Sequence, residues 1–551
     1  MIGIALKLYD PLVISEFFEL FKTPWEFFKS NQFYEVIITD EIQIDFNAQL
    51  IVVLHRDRDL NQDKSQCKFH QRPVILHCNK VTFPIYTGIR RIENGSSLIH
   101  DVNTGECVGS YCYDKGKTIL HIGYNFFEEA GHLITNGQPP QYACFPTLDI
   151  HIDNLRNWIL QAGAQLVEIP PMASGSKFFA CLTHDVDFAG IRNHKFDHTF
   201  TGFIYRALVK SLVQYLKGQY SLKMLARNWI AVAKLPFIHL GLMQDFWATF
   251  KQYREIEQEA PSTFFFVPFK SRPGKTERGT APIIRAVKYE VAQFKPDIAQ
   301  LIEQGCEIGV HGINSWIDVE NGKEELSKIR DLNSQSEYGV RMHWLYYGSE
   351  SPEKLEQAGY IFDSTSGYNE TIGYKTGTSQ VYKPLGVKQL LELPMHVMDT
   401  ALFYPNRMNL AFSEGISAIN TLIKTAAVNG GVLTFNWHDR SIAPERLWDD
   451  VYRYILNELK IQGAQFLTAG AVVHWFRKRR AIVFDQTTSN GLPNKVKLAG
   501  LDISPVDGMF LRKYFPSEQK SPDKFDKPMI LIYQDILFDG QNEVEILLED
   551  S

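Results

Sequence analysis

Three apolar, strand-like runs in this chain each stop abruptly at ionisable side chains. Phe178-Phe179-Ala180-Cys181-Leu182-Thr183 runs into His184-Asp185-Val186-Asp187. Cys306-Glu307-Ile308-Gly309-Val310 runs into His311-Gly312, and Gly431-Val432-Leu433-Thr434-Phe435 runs into Asn436-Trp437-His438-Asp439. In extended backbone, residues two apart share a face, so Asp185 and Asp187 can project into one site. Two carboxylates and two imidazoles gathered at strand ends could make a metal-assisted hydrolytic centre. Each piece alone has a plainer use, as a turn, a helix cap or a hydrogen-bonded loop histidine. The recurrence on three runs is what points to chemistry.

Those runs need a scaffold that delivers strand ends to one place. From 177 to about 480, buried-strand runs alternate with helical stretches, which predicts a parallel β/α architecture with its site at the strand C-terminal ends. Further strands are Thr263-Phe264-Phe265-Phe266-Val267 and Leu390-Leu391-Glu392-Leu393. The stretch Ile169-Pro170-Pro171-Met172-Ala173-Ser174-Gly175-Ser176 breaks both periodicities and marks a boundary. Residues 1–169 read as a mixed α/β domain of open role, with strands such as Leu50-Ile51-Val52-Val53-Leu54 and Val74-Ile75-Leu76. Its helix carries Leu148, Ile152, Leu155, Trp158 and Ile159. Residues 481–551 read as a β-rich appendage with a charged loop near 517–528.

A long insertion, about 190–260, separates the first two strands of the middle domain. Ile204, Leu208, Leu212 and Leu216 form one apolar stripe, and Leu222, Leu225, Trp229 and Val232 another. From Arg192 to Lys234 there are eight Lys/Arg against one acid, Asp197. The stripes either pack on the domain under a solvated basic face or meet an anionic membrane or glycan.

The chain has 551 residues, 44% apolar and 22% charged, with a formal net charge of -6. This is the composition of a folded globular protein with several domains, and the charge argues against a chain built for nucleic acid. No apolar run reaches the ~20 residues of a membrane span, and Met1 to Tyr9 do not read as a secretory signal. The seven cysteines are odd in number and scattered, so a reduced, cytoplasmic setting is expected.

Beyond these features, residues 177–480 resemble polysaccharide deacetylases of carbohydrate esterase family four, in a divergent branch. The likeness rests on Thr183-His184-Asp185-Val186-Asp187, on Ser262-Thr263-Phe264-Phe265-Phe266-Val267, and on Ile302 through His311. It continues with Arg341-Met342-His343-Trp344, Ala358-Gly359-Tyr360-Ile361-Phe362-Asp363 and Leu433-Thr434-Phe435-Asn436-Trp437-His438. It implies a distorted (β/α) barrel that removes N-acetyl groups from sugars of a glycan or glycan precursor, using a divalent metal with zinc the first choice. By the same resemblance Asp185 is the general base and Asp187 and His311 hold the metal. Arg341 orients Asp185, the backbone N–H near Trp344 meets the oxyanion, and Asp363 tunes His438, which protonates the departing amine.

One departure concerns the metal. The family's second histidine, four residues after the first, is replaced here by Ser315. Either His343 takes its place, or His343 is a structural loop histidine and the metal is weakly bound or absent. Relatives act mostly outside the cell, whereas a cytoplasmic enzyme would meet a lipid-linked or nucleotide-linked N-acetyl sugar. The loop from Asp363 to Lys375, with Tyr368, is either a sugar-binding loop or ordinary surface, and His396 is a candidate substrate contact. Two rival functions stay open at this point: a catalytically silent glycan-binding or scaffold protein, and a hydrolase of a non-sugar amide.

Overall fold

The computed structural model describes residues 1–41, 46–55, 73–258, 260–484, 495–498, 508–515, 531–538 and 543–545. Cys67 and the charged loop near 517–528 lie outside the described residues.

Eight parallel strands form the scaffold of the site: β1 Phe178–Val186, β2 Ser262–Phe266, β3 Glu307–Gly312, β4 Gly339–Met342, β5 Phe362–Asp363, β6 Leu391–Glu392, β7 Val397–Met398 and β8 Val432–Asn436. Their hydrogen-bonded order is β6-β5-β4-β3-β2-β1-β8-β7, with Ala464–Phe466 also paired to the start of β1. β1 is buried along its whole length, and β2 and β8 likewise. Strands covered on both faces carry unbroken apolar runs, which is why these three were legible in the sequence.

The sheet curls because β6 and β7 stand at opposite ends of that order yet are joined by only the short segment 393–396. Leu393 and Met395 donate their N–H groups to Asp363 and Ser366 on one side, and His396 donates to Thr434 on the other. The connector therefore bridges the gap and leaves a curled, half-barrel parallel sheet. Gly309 in β3 has a packing reason: a Cβ there would lie 2.4 Å from the Phe265 ring. That ring in turn supports the Arg341 guanidinium, 4.6 Å from its centroid.

Residues 2–122 build a separate nine-stranded sheet. Trp25–Phe27, Ile2–Ala5, Val36–Thr39, Leu50–Leu54 and Lys117–Ile122 run parallel, and Cys107–Asp114, Ser96–Asp101, Val74–Cys78 and Val81–Ile85 extend it antiparallel. The helix Thr147–Gln161 buries Leu148, Ile152, Leu155, Trp158 and Ile159, the stripe expected from spacing. The segment 169–176 is not a loose tether, since Ile169 and Ala173 are buried. Arg479, fully buried, donates to the carbonyls of Ile169, Glu19 and Leu20 and to Gln380 Oε1. Phe510–Phe515 pairs antiparallel with Leu166–Glu168, so C-terminal chain completes a sheet begun before the Pro/Ser/Gly stretch.

Between β1 and β2 the chain forms a helical hairpin: His198–Ile204, the π-helical turn Tyr205–Lys210, Ser211–Leu216, then Leu222–His239. Its burial departs from the stripes read in the sequence. Phe203, Ala207, Ser211, Leu225, Ala231, Leu235 and Ile238 face inward and Ile204 and Val232 pack partly against them, whereas Leu208, Leu212, Leu216, Leu222 and Trp229 are exposed. Small side chains let the two arms approach closely, so the buried face includes Ala207, Ser211 and Ala231, and most of the larger apolar residues of the stripes are turned to solvent.

Candidate active site

The C-terminal ends of β1, β3, β4 and β8 deliver Asp185, Asp187, His311, His343 and His438 to one cavity of about 380 Å³. Parallel pairing fixes their mutual heights: Asp185 aligns with Phe265, and His311 with Arg341. Asp187 is the hub. Its Oδ1 lies 3.4 Å from His311 Nε2 and 3.4 Å from His343 Nε2, and its Oδ2 lies 3.8 Å from His438 Nε2.

Asp187, His311 and His343 each offer one donor atom, all within 4.8 Å of one another. His311 Nδ1 donates to the Arg341 carbonyl at 2.8 Å, which turns its Nε2 towards Asp187. Asp187 Oδ1 is buried and accepts no hydrogen bond among the described residues. An orphaned carboxylate oxygen between two imidazoles is the donor set that a divalent cation completes. Burial drives the His343 pKa down to about 3, so the ring is neutral and able to ligate.

Position 315 turns away from this site. Ser315 is buried, its Oγ donates to Glu325 Oε2 at 2.5 Å and sits 3.1 Å from Tyr360 Oη, and Glu325 also caps the N–H groups of Ile313 and Asn314. The loop after β3 is thus bound to the helix Val319–Arg330, and the third candidate donor is His343, just after β4.

Asp185 is gripped on both oxygens. Arg341 Nη1 donates to Oδ1 at 3.0 Å and Asn436 Nδ2 to Oδ2 at 2.7 Å, while His311 Nε2 lies 3.7 Å from Oδ2. Burial alone would raise this carboxyl, but His311, Arg341 and His438 outweigh it and hold it below its ordinary value. Arg341 is itself fixed by Thr183 Oγ1, the Ser364 carbonyl and Ser364 Oγ. Asn436 and Thr183 are contributors that motif reading passed over.

The greatest difference from expectation lies at His438. Its Nδ1 donates to Asp399 Oδ1 at 2.6 Å, and its backbone N–H donates to Asp399 Oδ2 at 2.7 Å. Burial opposes a charge on this ring, but Asp399, then Asp187 and Asp185, raise its pKa to about 10. Asp363, expected in that role, sits on β5 near the other edge of the sheet. Its Oδ1 accepts from Thr365, and burial raises its carboxyl to about 6 beside Glu392, itself raised well above the ordinary range by burial and by Asp363. Asp399 follows β7, which pairs in register with β8. The available sequence signal was an aspartate ending a strand, but that strand is two residues long.

Two other expected contacts lie off the cavity. His396 is buried behind it, with its ring between the Thr378 carbonyl and the Thr434 N–H and its pKa lowered to about 4 by burial. Tyr368 is buried against the N-terminal unit, donating to the Gln138 carbonyl at 2.7 Å. Neighbouring Asn369 lines the cavity instead and donates to the Trp344 carbonyl. Trp344 does reach the cavity, where it and Leu345 hold left-handed φ values of 64° and 56°. Such backbone is uncommon for bulky residues and concentrates at functional sites.

No protein-family model matches the chain, and no curated protein matches it. Among solved structures it is similar to a protein from Mycobacterium smegmatis described as a polysaccharide deacetylase, at 15% identity and TM-score 0.34, covering 56% of this chain and 95% of that one. It is similar to Puue allantoinase at 13% identity and TM-score 0.33, covering 55% and 91%. A third likeness is to Bc1960 peptidoglycan N-acetylglucosamine deacetylase, at 11% identity and TM-score 0.25, covering 55% and 90%. At these identities and TM-scores the likeness carries no functional weight, and the site stands on its own geometry.

Proposed function

We propose that this chain is a metal-dependent amide hydrolase that removes N-acetyl groups from sugars. The observation that carries the reading is the polarised pair on either side of Asp187: a carboxylate kept ionised at Asp185 and an imidazole kept protonated at His438. Asp185 is the base that takes a proton from the attacking water, and Arg341 and Asn436 fix its direction. His438, aligned by Asp399, gives a proton from Nε2 to the departing amine. The Trp344 N–H at the cavity rim is the donor assigned to the carbonyl oxygen as charge develops there. Asp187, His311 and His343 would hold the metal, and two imidazoles with one carboxylate suit zinc. What a bound divalent cation supplies here is Lewis acidity toward water and the amide carbonyl.

The test is acetate release from N-acetylated sugars by metal-supplemented protein, beside Asp185→Asn and His438→Ala. Turnover in the wild type, lost in both variants, is expected. Wild-type rates in Asp185→Asn sink the base assignment, and absence of stoichiometric metal uptake sinks the enzyme reading.

The helical hairpin gives the reaction a place, at an anionic membrane surface. From 198 to 244 the sequence has no Asp or Glu, and Lys210, Lys217, Lys223 and Lys234 supply positive charge, while Arg206 turns into the cavity and Arg227 pairs with Asp449. Leu216 is 75% exposed and Leu240 73%, with Trp229, Ile230 and Phe237 between them also exposed. Exposed apolar side chains among lysines, on a segment with no acid of its own, match an anionic lipid interface. Among the described residues no helix is long and apolar enough to cross a membrane. Sedimentation with phosphatidylglycerol vesicles, weakened by Leu216→Ser with Trp229→Ser and by high salt, is expected. Self-association through this face, seen by analytical ultracentrifugation with no vesicle binding, overturns it. The described cysteines are all unpaired, which suits a reducing compartment.

A further inference from the structure

The catalytic cavity continues past the metal residues into a wall of arginines. Arg206, Arg407 and Arg440 line it, with Tyr404 among them. Arg206, Tyr404 and Arg440 also line a second, wider cavity of about 1010 Å³, to which Arg446, Lys210 and Lys217 contribute. Those three shared residues form the neck between the two spaces.

Arg206, Arg440 and Arg446 gather at the neck without an ion-pair partner among the described residues, and Arg407 lies on the wall of the first cavity. Arg206 projects from the π-helical turn Tyr205–Lys210, and its Nε and Nη2 are buried with no hydrogen-bond acceptor. Arg407 Nη1 and Arg446 Nε are buried and unpaired in the same way. Arg440 and Arg446 each place one Nη2 on the Tyr404 hydroxyl, at 3.3 and 3.0 Å. Arg440 also lies 3.5 Å over the Phe188 ring.

The nearby acids Glu445 and Asp439 act on Arg206 and Arg440 through their charge but form no ion pair with them among the described residues. Glu445 accepts from Trp247 Nε1 on both oxygens, and Asp439 Oδ2 caps the N–H groups of Phe188 and Ala189. Burial and then repulsion from Arg446 and Arg440 lower Arg206 to about 10, against the pull of Glu445. Although burial raises the Tyr404 phenol, Arg446 and Arg440 outweigh it and bring the pKa to about 8. Desolvated like charges with idle donors are costly unless an anion completes them. Guanidiniums match phosphoryl oxygens through paired N–H donors, and a cluster this strongly positive suits a di- or trianion better than a single carboxylate.

We propose that Arg206, Arg407, Arg440 and Arg446 form a phosphoryl-binding subsite, so that the substrate is an N-acetyl sugar carrying a phosphate or diphosphate ester. The sugar amide would lie at the Asp187 end and the ester at the neck. The proposal rests on the hydrolase reading for its substrate, but its test does not need turnover.

Titration calorimetry of the full-length, metal-stripped protein with inorganic pyrophosphate is the direct measurement. Saturable one-to-one binding is expected, weakened about 10-fold or more in Arg206→Gln and in Arg446→Gln, and less in Arg206→Lys. The Tyr404 phenol should titrate at higher pH once pyrophosphate fills the site. No saturable binding, or binding indifferent to both glutamine variants with wild-type thermal melts, overturns the proposal. Uridine diphosphate and short-chain phosphatidic acid form two further arms. Tighter binding of the first than of pyrophosphate marks a nucleotide-linked sugar, and of the second a lipid-linked one. Pyrophosphate binding without acetate release would sink the hydrolase reading and leave the anion subsite standing, and the converse result would do the reverse.

Discussion

Asp399 holds His438 at two points, the ring Nδ1 at 2.6 Å and the backbone N–H at 2.7 Å. One carboxylate thereby sets the protonation, the tautomer and the direction of the proposed acid, whose Nε2 is left facing Asp187. This relation depends on the pairing of β7 with β8, not on any local motif.

Asp399→Asn should therefore lower kcat about 10²- to 10⁴-fold, the span that one acid–base group contributes. Metal affinity should stay near wild type, since Asp399 touches none of the three donor residues. Steady-state acetate release, read beside metal content, checks it.

His343→Ala should weaken divalent metal binding about 10- to 100-fold or more, because the donor set would drop to two residues. Adding Ser315→His to that variant should not restore binding, as position 315 points to Glu325 and Tyr360. Competition with a chromogenic chelator measures both, and rescue by the histidine would mean that the loop after β3 can swing inward.

Asp363→Asn should leave the His438 ring titration unmoved in histidine NMR spectra, since Asp363 belongs to the Glu392 pair. A large shift there would return Asp363 to the role that the resemblance implied.

Tyr404 provides a pH signature away from the metal donors. With its pKa lowered to about 8, difference absorbance near 295 nm should show a phenolate forming between roughly pH 7 and 9, missing in Tyr404→Phe. The native phenol releases its proton earlier than the unfolded one. Between about pH 8 and 10 the unfolded chain therefore binds more protons, and stability from this group rises with pH. The contribution is lost as pH falls through 8, so Tyr404→Phe should cost more at pH 10 than at pH 7.

Arg479→Met should destabilise the protein by about 3 kcal/mol or more, because the carbonyls of Ile169, Glu19 and Leu20 would lose a buried donor. Urea unfolding followed by tryptophan fluorescence reads this as a lower midpoint.

The sequence by itself determined the parallel β/α scaffold and the strand-end residues Asp185, Asp187, His311 and His438. Long strands buried on both faces announce themselves as apolar runs, and polar residues at their ends stand out against them. It also determined that position 315 lacks a histidine and raised His343 as the substitute. Tertiary structure decided which acid serves His438, because β5 and β7 are two residues each and carry almost no periodic signal, and only the sheet order places β7 beside β8 and β5 near the far edge. It decided too that Tyr368 and His396 are interior, and that most of the larger apolar residues of the hairpin stripes face solvent. Amphipathic spacing names a face but not its neighbour. The arginine neck was hidden for the same reason: Arg206, Arg407 and the loop that carries Arg440 and Arg446 are far apart in the chain, and only folding brings them to two adjoining cavities.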